Sequence, residues 1–162
     1  IGMALGSEKM LNWLAASRKA ENVAFKSANY THDINIISKL ENFVSINSAV
    51  QVDLFGQVNA EMVGARQISG TGGSVDFMRS ASASRGGKSI VALTASAKDG
   101  KISKIVPKVD FVTALRTDVD TIVTEHGVAE IKNCSSEERA NKLIEIADPL
   151  HREELRKSVN LF

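Results

Sequence analysis

The feature that most constrains the fold is a repeated change in the spacing of apolar residues. Val50, Val52 and Leu54 alternate with their neighbours, and a period of two is typical of a β-strand. Short apolar stretches at 89–96 and 121–124 predict further strands. Between and after them, apolar residues recur at helical spacing. This alternation predicts an α/β architecture, a layered open sheet with flanking helices.

Capping signals set the borders of the helices. Ser7 precedes a helical pattern and predicts the start of a first helix. Ser135 and Glu138 form a capping box for a helix near the end of the chain. The Asp148–Pro149 pair ends that helix, because a residue before proline avoids the helical region.

Turn signals set the borders of the strands. Gly56–Gln57 predicts a tight hairpin with glycine at its first central position, and Asp99–Gly100 predicts a second turn. The segment 22–28 is interpreted as an early strand, and 31–40 carries apolar residues at helical spacing.

Composition excludes several classes of protein. The chain has 162 residues, 43% of them hydrophobic, and a net charge of +1, which suits one globular domain with no overall attraction to nucleic acid or membrane. No apolar run approaches the ~18 residues of a membrane span. One cysteine excludes an internal disulfide and favours a cytoplasmic location. The chain has only three histidines and no residues at the spacing typical of metal ligands, so no metal site is predicted.

The most unusual stretch is "ISGTGGSVDFMRSASASRGGKSI", residues 68–90, with five glycines in two clusters. A dinucleotide fingerprint fails because Val75 stands at the third glycine position. A phosphate-binding P-loop fails because Ser82 stands at the opening glycine position and a strand follows. Both standard nucleotide motifs are therefore disfavoured.

Two interpretations of the first cluster remain. The turn at 70–73, followed by Ser74 as a helix cap, could aim backbone amides at an anion or an oxyanion. Alternatively, the glycines serve a tight loop that needs positive φ and holds no ligand, which the isolated motif favours.

The residues that carry a family resemblance lie in three blocks, "SINSAVQVDLFGQVNAE", the glycine-rich stretch and "TDVDTIVTEHGVAEI". In these blocks, which occur in the right order, the sequence resembles the C-terminal half of the acetyl-CoA hydrolase and 4-hydroxybutyrate CoA-transferase family. The resemblance implies a CoA-transferase-like half that faces a similar α/β half across the active cleft. It implies a glutamate that attacks an acyl-CoA and becomes a glutamyl-CoA thioester. A carboxylate such as acetate then reacts with this thioester and accepts the CoA, whereas water hydrolyses it in the hydrolases.

The resemblance also implies roles for particular residues. Gly72 and Gly73 are expected to supply the oxyanion site. Asn47 is expected to orient the glutamate by a hydrogen bond, and its alternative role is to cap the hairpin turn. Asp76 is expected to order the glycine loop by accepting its amides. Contacts to CoA, as a substrate, are expected from Gly70, Arg79, Gly86, Gly87 and Lys88.

The sequence departs from the family at the nucleophile. The family's Gly-x-His-x-Glu-like segment does not occur in the chain, and structural roles are expected for Glu61, Glu125 and Glu130. Residues 1–162 are therefore interpreted as a C-terminal domain without the N-terminal domain and the catalytic glutamate. One face should then carry apolar residues that the other half covers.

The resulting expectation is a homo-oligomeric CoA-transferase that acts on 4-hydroxybutyryl-, butyryl- or acetyl-CoA and small carboxylates, with no permanently bound cofactor. The alternatives are an acyl-CoA hydrolase and a non-catalytic module that binds an anion or CoA.

Overall fold

The computed structural model describes residues 1–17 and 23–159. Its helices are α1 (Glu8–Ser17), α2 (Ala28–Thr31), α3 (Ile34–Ile37), α4 (Ser74–Ala83), α5 (Ser136–Glu145) and α6 (Arg152–Val159). Its strands are β1 (Val44–Ser48), β2 (Gln51–Asp53), β3 (Val58–Asn59), β4 (Met62–Val63), β5 (Arg66–Gln67), β6 (Lys88–Ala92), β7 (Ser96–Ala97), β8 (Ile102–Ser103), β9 (Ile105–Val106), β10 (Thr121–Thr124) and β11 (Gly127–Glu130).

The main sheet has the strand order β1-β6-β10-β11. β1, β6 and β10 are parallel, and β11 adds an antiparallel edge. Ile46 lies opposite Ile90, which in turn lies opposite Thr121. Parallel neighbours need crossover connections, and α4 lies in the connection that leads into β6. The predicted α/β open sheet with flanking helices is confirmed.

A smaller sheet with the order β3-β2-β9 lies beside the main one, and its β2–β3 hairpin is the predicted one. The predicted turn geometry was wrong. The Gly56 amide donates to the Asp53 carbonyl, and Gly56 follows the turn with a φ of +85°. Glycine therefore occupies the last position of a three-residue loop, where it forms a bulge, and not the first central position of a two-residue loop.

The turn at Asp99–Gly100 is confirmed, because it joins the antiparallel pair β7–β8. The capping box of α5 is also confirmed. The Ser135 hydroxyl accepts from the Glu138 amide at 3.2 Å, and the Glu138 carboxylate accepts from the Ser135 amide at 2.8 Å.

The hydrophobic core forms where α4 and α5 pack against the main sheet. Met78 of α4 and Leu143 of α5 are buried together with the sheet residues Val91 and Ile122. The apolar face predicted for α5 is buried in this core, at Ala140, Leu143, Ile144 and Ala147.

The interpretation of 22–28 as a strand was wrong for the residues described, since residue 22 lies outside them. Residues 23–27 form no strand, and α2 begins at Ala28. The backbone here pairs with Ile1, whose carbonyl accepts from the Lys26 amide at 2.9 Å and whose amino group donates to the Ala24 carbonyl at 2.7 Å. The helical spacing over 31–40 produces a single turn of α-helix, α3, with Ile37 buried.

The opposite face of the main sheet leaves apolar side chains uncovered. The strand register puts Ile46 of β1 and Val128 of β11 on the same face, and they are 68% and 62% exposed. Val44, two residues before Ile46, is 47% exposed. In the described part of the chain, no helix has the length and apolar character needed to cross a membrane.

Candidate active site

The glycine turn forms the start of α4. Gly72 has a φ of +53°, in the left-handed region that favours glycine, and Gly73 is the N-cap residue. Ser74, predicted to cap the helix, is instead its first residue, and its hydroxyl donates to the Thr71 carbonyl at 2.9 Å. Within the described residues, no hydrogen bond uses the amides of 72–74. These donors are therefore available at the positive end of the α4 dipole.

The two glycines are needed for different reasons. A Cβ added to Gly72 would meet no atom within 4 Å, so only its backbone conformation requires glycine. A Cβ added to Gly73 would overlap Cδ2 and Nε2 of His32. Glycine at position 73 therefore allows an imidazole ring, contributed by the segment between α2 and α3, to lie directly on the turn.

His32 is the residue that the sequence analysis missed. Its Nδ1 lies 3.0 Å from the Thr31 hydroxyl, and its ring packs against Phe77 of α4 with centroids 4.9 Å apart. The sequence carries no signal for this contact, because a single histidine 41 positions before Gly73 belongs to no motif.

His32 separates two cavities. One, of about 530 Å³, is lined by Gly72, Gly73 and Asp76 on one side and by Asn29, His32 and Asp33 on the other. The second, of about 650 Å³, is mostly apolar, and its lining includes Phe43 and Phe77 together with His32. Backbone donors thus lie at a polar cavity with an apolar chamber adjacent to it, which is the usual composition of a small-molecule site.

The topology brings the glycine turn to the carboxyl edge of the parallel strands. Because α4 leads into β6 and packs against β1 and β6, its N-terminus lies at the edge where β1, β6 and β10 end. Asn47 lies near that end of β1, inside the strand and not in the hairpin turn. Its Nδ2 donates to the Ser45 hydroxyl at 2.9 Å. Ligands of open α/β sheets bind at this edge.

The second glycine cluster lies at the other end of α4. A Cβ added to Gly86 would overlap Asn42, and one added to Gly87 would overlap the Ala81 carbonyl, so close packing requires both glycines. Lys88 is exposed at the start of β6, in a cavity of about 220 Å³ that also contains Asp120. The structure therefore does not bring these residues together with Gly72 and Gly73.

Arg79 is engaged by an acidic partner. Its Nε donates to Asp118 Oδ1 at 3.1 Å, and the Asp118 side chain is only 9% exposed. For Asp76, no hydrogen bond within the described residues joins its carboxylate to the glycine turn, so the structure gives no support to its expected loop-ordering role. Gly70 is exposed, with no atom within 4 Å of an added Cβ.

The three glutamates of the sequence analysis lie in different settings. Glu61 is buried at the end of the β3 hairpin segment, and Glu130 is exposed on β11. Glu125 follows β10 at the carboxyl edge, where its Oε2 accepts from the Ala95 amide at 2.8 Å. Hydrogen bonds from its own amide and from that of Ala95 hold the pKa of the Glu125 carboxyl below its usual value.

Across residues 1–17 and 23–159, no group of three or more histidine, cysteine, aspartate or glutamate side chains could hold a metal ion. The arrangement at the glycine turn offers backbone N–H donors and a helix N-terminus. Such a site can stabilise the negative charge that develops on a carbonyl oxygen during acyl transfer.

Comparison with known proteins identifies the family of the chain. The chain matches the acetyl-CoA hydrolase/transferase C-terminal domain over residues 6–159. It is 45% identical over 154 residues to the 4-hydroxybutyrate coenzyme A transferase of Clostridium kluyveri, and that alignment covers 93% of the chain and 35% of the relative. It is 42% identical over 160 residues to the butyryl-CoA:acetate CoA-transferase of Anaerostipes caccae, with 95% and 35% covered.

The fold agrees as well. The crystal structure of RipA from Yersinia pestis superposes with a TM-score of 0.87 at 40% identity, covering 98% of this chain and 36% of RipA. The chain spans about 35% of the length of the curated relatives that it matches. With a domain match over nearly its whole length and relatives above 40% identity, the chain belongs to the acetyl-CoA hydrolase/transferase family, in the region of its C-terminal domain.

Proposed function

We propose that the chain is the C-terminal half of a cytoplasmic CoA-transferase that moves CoA between an acyl-CoA and a small carboxylate such as acetate. The observation that carries this proposal is the set of unengaged amides at 72–74, which begin α4 beside the polar cavity. 4-Hydroxybutyryl-, butyryl- and acetyl-CoA are the proposed donors, because the relatives include a 4-hydroxybutyrate CoA-transferase and a butyryl-CoA:acetate CoA-transferase.

The proposed reaction uses a glutamate of the N-terminal domain as its nucleophile. Its carboxylate oxygen attacks the thioester carbonyl, the CoA thiolate leaves, and a mixed anhydride forms. The thiolate then attacks the glutamyl carbonyl, which yields the glutamyl-CoA thioester and releases the donor carboxylate. The acceptor carboxylate reverses these two steps. Each tetrahedral intermediate carries an oxyanion, and the amides of Gly72 and Gly73 are the proposed donors to it.

Asn47 and Glu125 share the carboxyl edge with the glycine turn, and Asn47 is the proposed residue that orients the attacking glutamate. Gly70 is the proposed contact for the part of CoA nearest the turn. Proposed contacts of CoA with Arg79, Gly86, Gly87 and Lys88 mean that CoA extends along α4, whose ten residues span about 15 Å. Lys88 tests that extension, because it is exposed at the far end.

The proposed partner of the uncovered sheet face is the N-terminal domain of the same enzyme. The chain covers about 35% of its relatives' length, and Ile46 and Val128 leave an apolar surface on the main sheet. Sedimentation of the isolated 162-residue chain tests this assignment. We expect concentration-dependent self-association that Ile46→Lys abolishes, whereas a strict monomer before and after the substitution argues against it. In the full-length enzyme we propose a homo-oligomer.

Intact-mass measurement of the full-length enzyme tests the reaction. Incubation with butyryl-CoA and no acceptor should add one CoA to the protein through the glutamyl thioester, and acetate should then remove it as acetyl-CoA. Loss of the adduct in buffer alone at a rate that matches turnover would identify the hydrolase alternative. Absence of any adduct, transfer or hydrolysis would favour the alternative that the protein is a non-catalytic binding module.

A further inference from the structure

A cavity of about 350 Å³ lies at the end of the main sheet opposite the glycine turn. Ser82, near the C-terminal end of α4, lines it together with Arg116 and Asp120 from the segment before β10. Lys132, just after β11, and Arg139 of α5 complete the polar lining. These elements meet at the amino edge of the parallel strands, so this cavity is separate from the glycine turn. It shares Asp120 and Lys132 with the smaller cavity that contains Lys88.

The charges around this cavity do not cancel. Lys132 Nζ lies 3.0 Å from Asp120 Oδ1, so these two groups neutralise each other. Arg116 is exposed, and within the described residues it takes part in no hydrogen bond or ion pair. Burial, followed by the positive charge of Arg116, lowers the pKa of Arg139. Two guanidinium charges therefore line this cavity, and the one carboxylate among its described lining residues, that of Asp120, is paired with Lys132.

The Arg139 guanidinium is held in place but is not fully paired. Its Nη1 donates to the Phe55 carbonyl at 2.9 Å, and its Nη2 donates to the Ile131 carbonyl at 3.3 Å. Its Nε is buried without a hydrogen-bond partner among the residues described, and so is the Ser82 hydroxyl. A buried charged donor without an acceptor is costly, and most such groups in native proteins are paired.

We propose that this cavity binds a doubly charged oxyanion of the phosphate class, held by Arg116 and Arg139. The two guanidinium charges match a dianion, and planar guanidinium groups donate paired N–H groups to phosphate oxygens. Bound phosphate offsets the repulsion between these two like charges. The volume of about 350 Å³ accommodates free phosphate or the phosphate group of a small ester.

Isothermal titration of the full-length enzyme with inorganic phosphate, at constant ionic strength and without CoA, tests the site. Arg116→Ala should weaken phosphate binding about tenfold or more, because one charge-assisted contact is lost. Arg116 is exposed, so the variant should fold normally. Arg85→Ala is the matched control, since this exposed guanidinium pairs with Glu41 and lies outside the cavity lining. It should change the affinity less than twofold.

Undetectable phosphate binding, or equal weakening by Arg116→Ala and Arg85→Ala, would overturn the proposal. If glycerol phosphate competes with inorganic phosphate, the site also binds organic phosphates. If it does not compete, the site binds only the free anion. Acetate at the same ionic strength should not compete, because it carries a single charge. Gly72→Ala should leave phosphate affinity unchanged, so failure of this site and failure of the proposed function are distinguishable.

Discussion

The imidazole of His32 occupies the space that any side chain at position 73 would need, because a Cβ added to Gly73 would overlap its Cδ2 and Nε2 atoms. The ring is held from behind by Phe77 and by the Thr31 hydroxyl. The position of the glycine turn therefore depends on a packing contact as well as on backbone conformation. This contact gives Gly73 a role that differs from that of Gly72.

Gly73→Ala should lower both the stability of the enzyme and its kcat. The new methyl group must displace His32 or the turn, and displacement of the proposed oxyanion donor should cost about a hundredfold or more in rate. His32→Ala in the same chain should relieve the overlap. We therefore expect the free energy of unfolding of the double variant to exceed, by about 0.5–3 kcal/mol, the value obtained by adding the two single effects. Urea unfolding measures it.

The stability control for this pair is Gly70→Ala. Gly70 has open space around an added Cβ and is absent from the residues with positive φ, so its substitution should not destabilise the enzyme. Additive effects of Gly73→Ala and His32→Ala would show that the two residues do not constrain each other.

Gly72→Ala should lower kcat far more than it raises KM for acyl-CoA. Alanine at a φ of +53° costs about 1–2 kcal/mol, and the turn can relieve this strain only by turning its amides away from the cavity. Donors that act on developing charge stabilise the transition state and hardly affect the bound thioester. Steady-state kinetics with butyryl-CoA and acetate provide the measurement.

Gly64→Ala is a close match for this substitution. Gly64 has a φ of +55°, an added Cβ would meet no atom within 4 Å, and the residue lies in the turn between β4 and β5. It should lower stability as Gly72→Ala does and leave kcat unchanged. If Gly72→Ala lowers only the melting temperature, the glycine serves the turn alone. If it only weakens CoA binding, the turn is a phosphate cradle.

Lys88→Ala should raise KM for acyl-CoA and leave kcat nearly unchanged. A contact to a CoA phosphate binds the ground state and the transition state alike. Lys108→Ala removes another exposed ammonium group and should alter neither constant. An unchanged KM in Lys88→Ala would limit the CoA contacts to the glycine-turn end of α4 and would remove Gly86 and Gly87 from the proposed site.

The isolated 162-residue chain should not turn over acetyl-, butyryl- or 4-hydroxybutyryl-CoA in the presence of acetate. The reason is the absence of a Gly-x-His-x-Glu-like segment from the sequence. Release of CoA, followed with a thiol reagent, measures the activity. Turnover that Glu61→Ala or Glu125→Ala abolishes would show that the nucleophile lies within this chain.

Elements with local signals could be predicted from the sequence. The strand at Thr121–Thr124 has the predicted bounds, and the capping box at Ser135 begins α5 as expected. The segment 22–28 could not be predicted in this way. An extended strand is stable only with a partner, and whether residues 23–27 have one depends on the rest of the fold.

The glycine turn was predictable as a turn at the start of a helix because its residues are contiguous, whereas the residues around it were not. His32 meets Gly73 only after α3 packs against α4. Gly86 and Gly87 lie 14 positions from Gly72 and Gly73, yet α4 holds the two pairs at its opposite ends. Proximity in sequence therefore did not reveal that the two glycine pairs lie at opposite ends of one helix.

The hydrogen bond between the Ala95 amide and Glu125 links the loop after β6 to the end of β10 at the carboxyl edge. The carboxylate form is the better acceptor, which is why the pKa of Glu125 is lowered by its own amide and that of Ala95. The Glu125 side chain is 47% exposed, so its contribution to the free energy of unfolding is small.

Glu125→Gln should therefore destabilise the chain slightly at neutral pH. A carboxyl group with a lowered folded-state pKa contributes its stability above the unfolded value, about 4.3, and loses it as the pH falls through the folded value. The difference between the parent and the variant should be present from pH 7 to about 5 and should be lost as the pH falls through the folded pKa. Urea unfolding at pH 7, 5 and 3 measures it. Glu130→Gln, at an exposed position on β11, should show no such change with pH. A difference that persists unchanged at pH 3 would show that the substitution acts through packing and not through the charge.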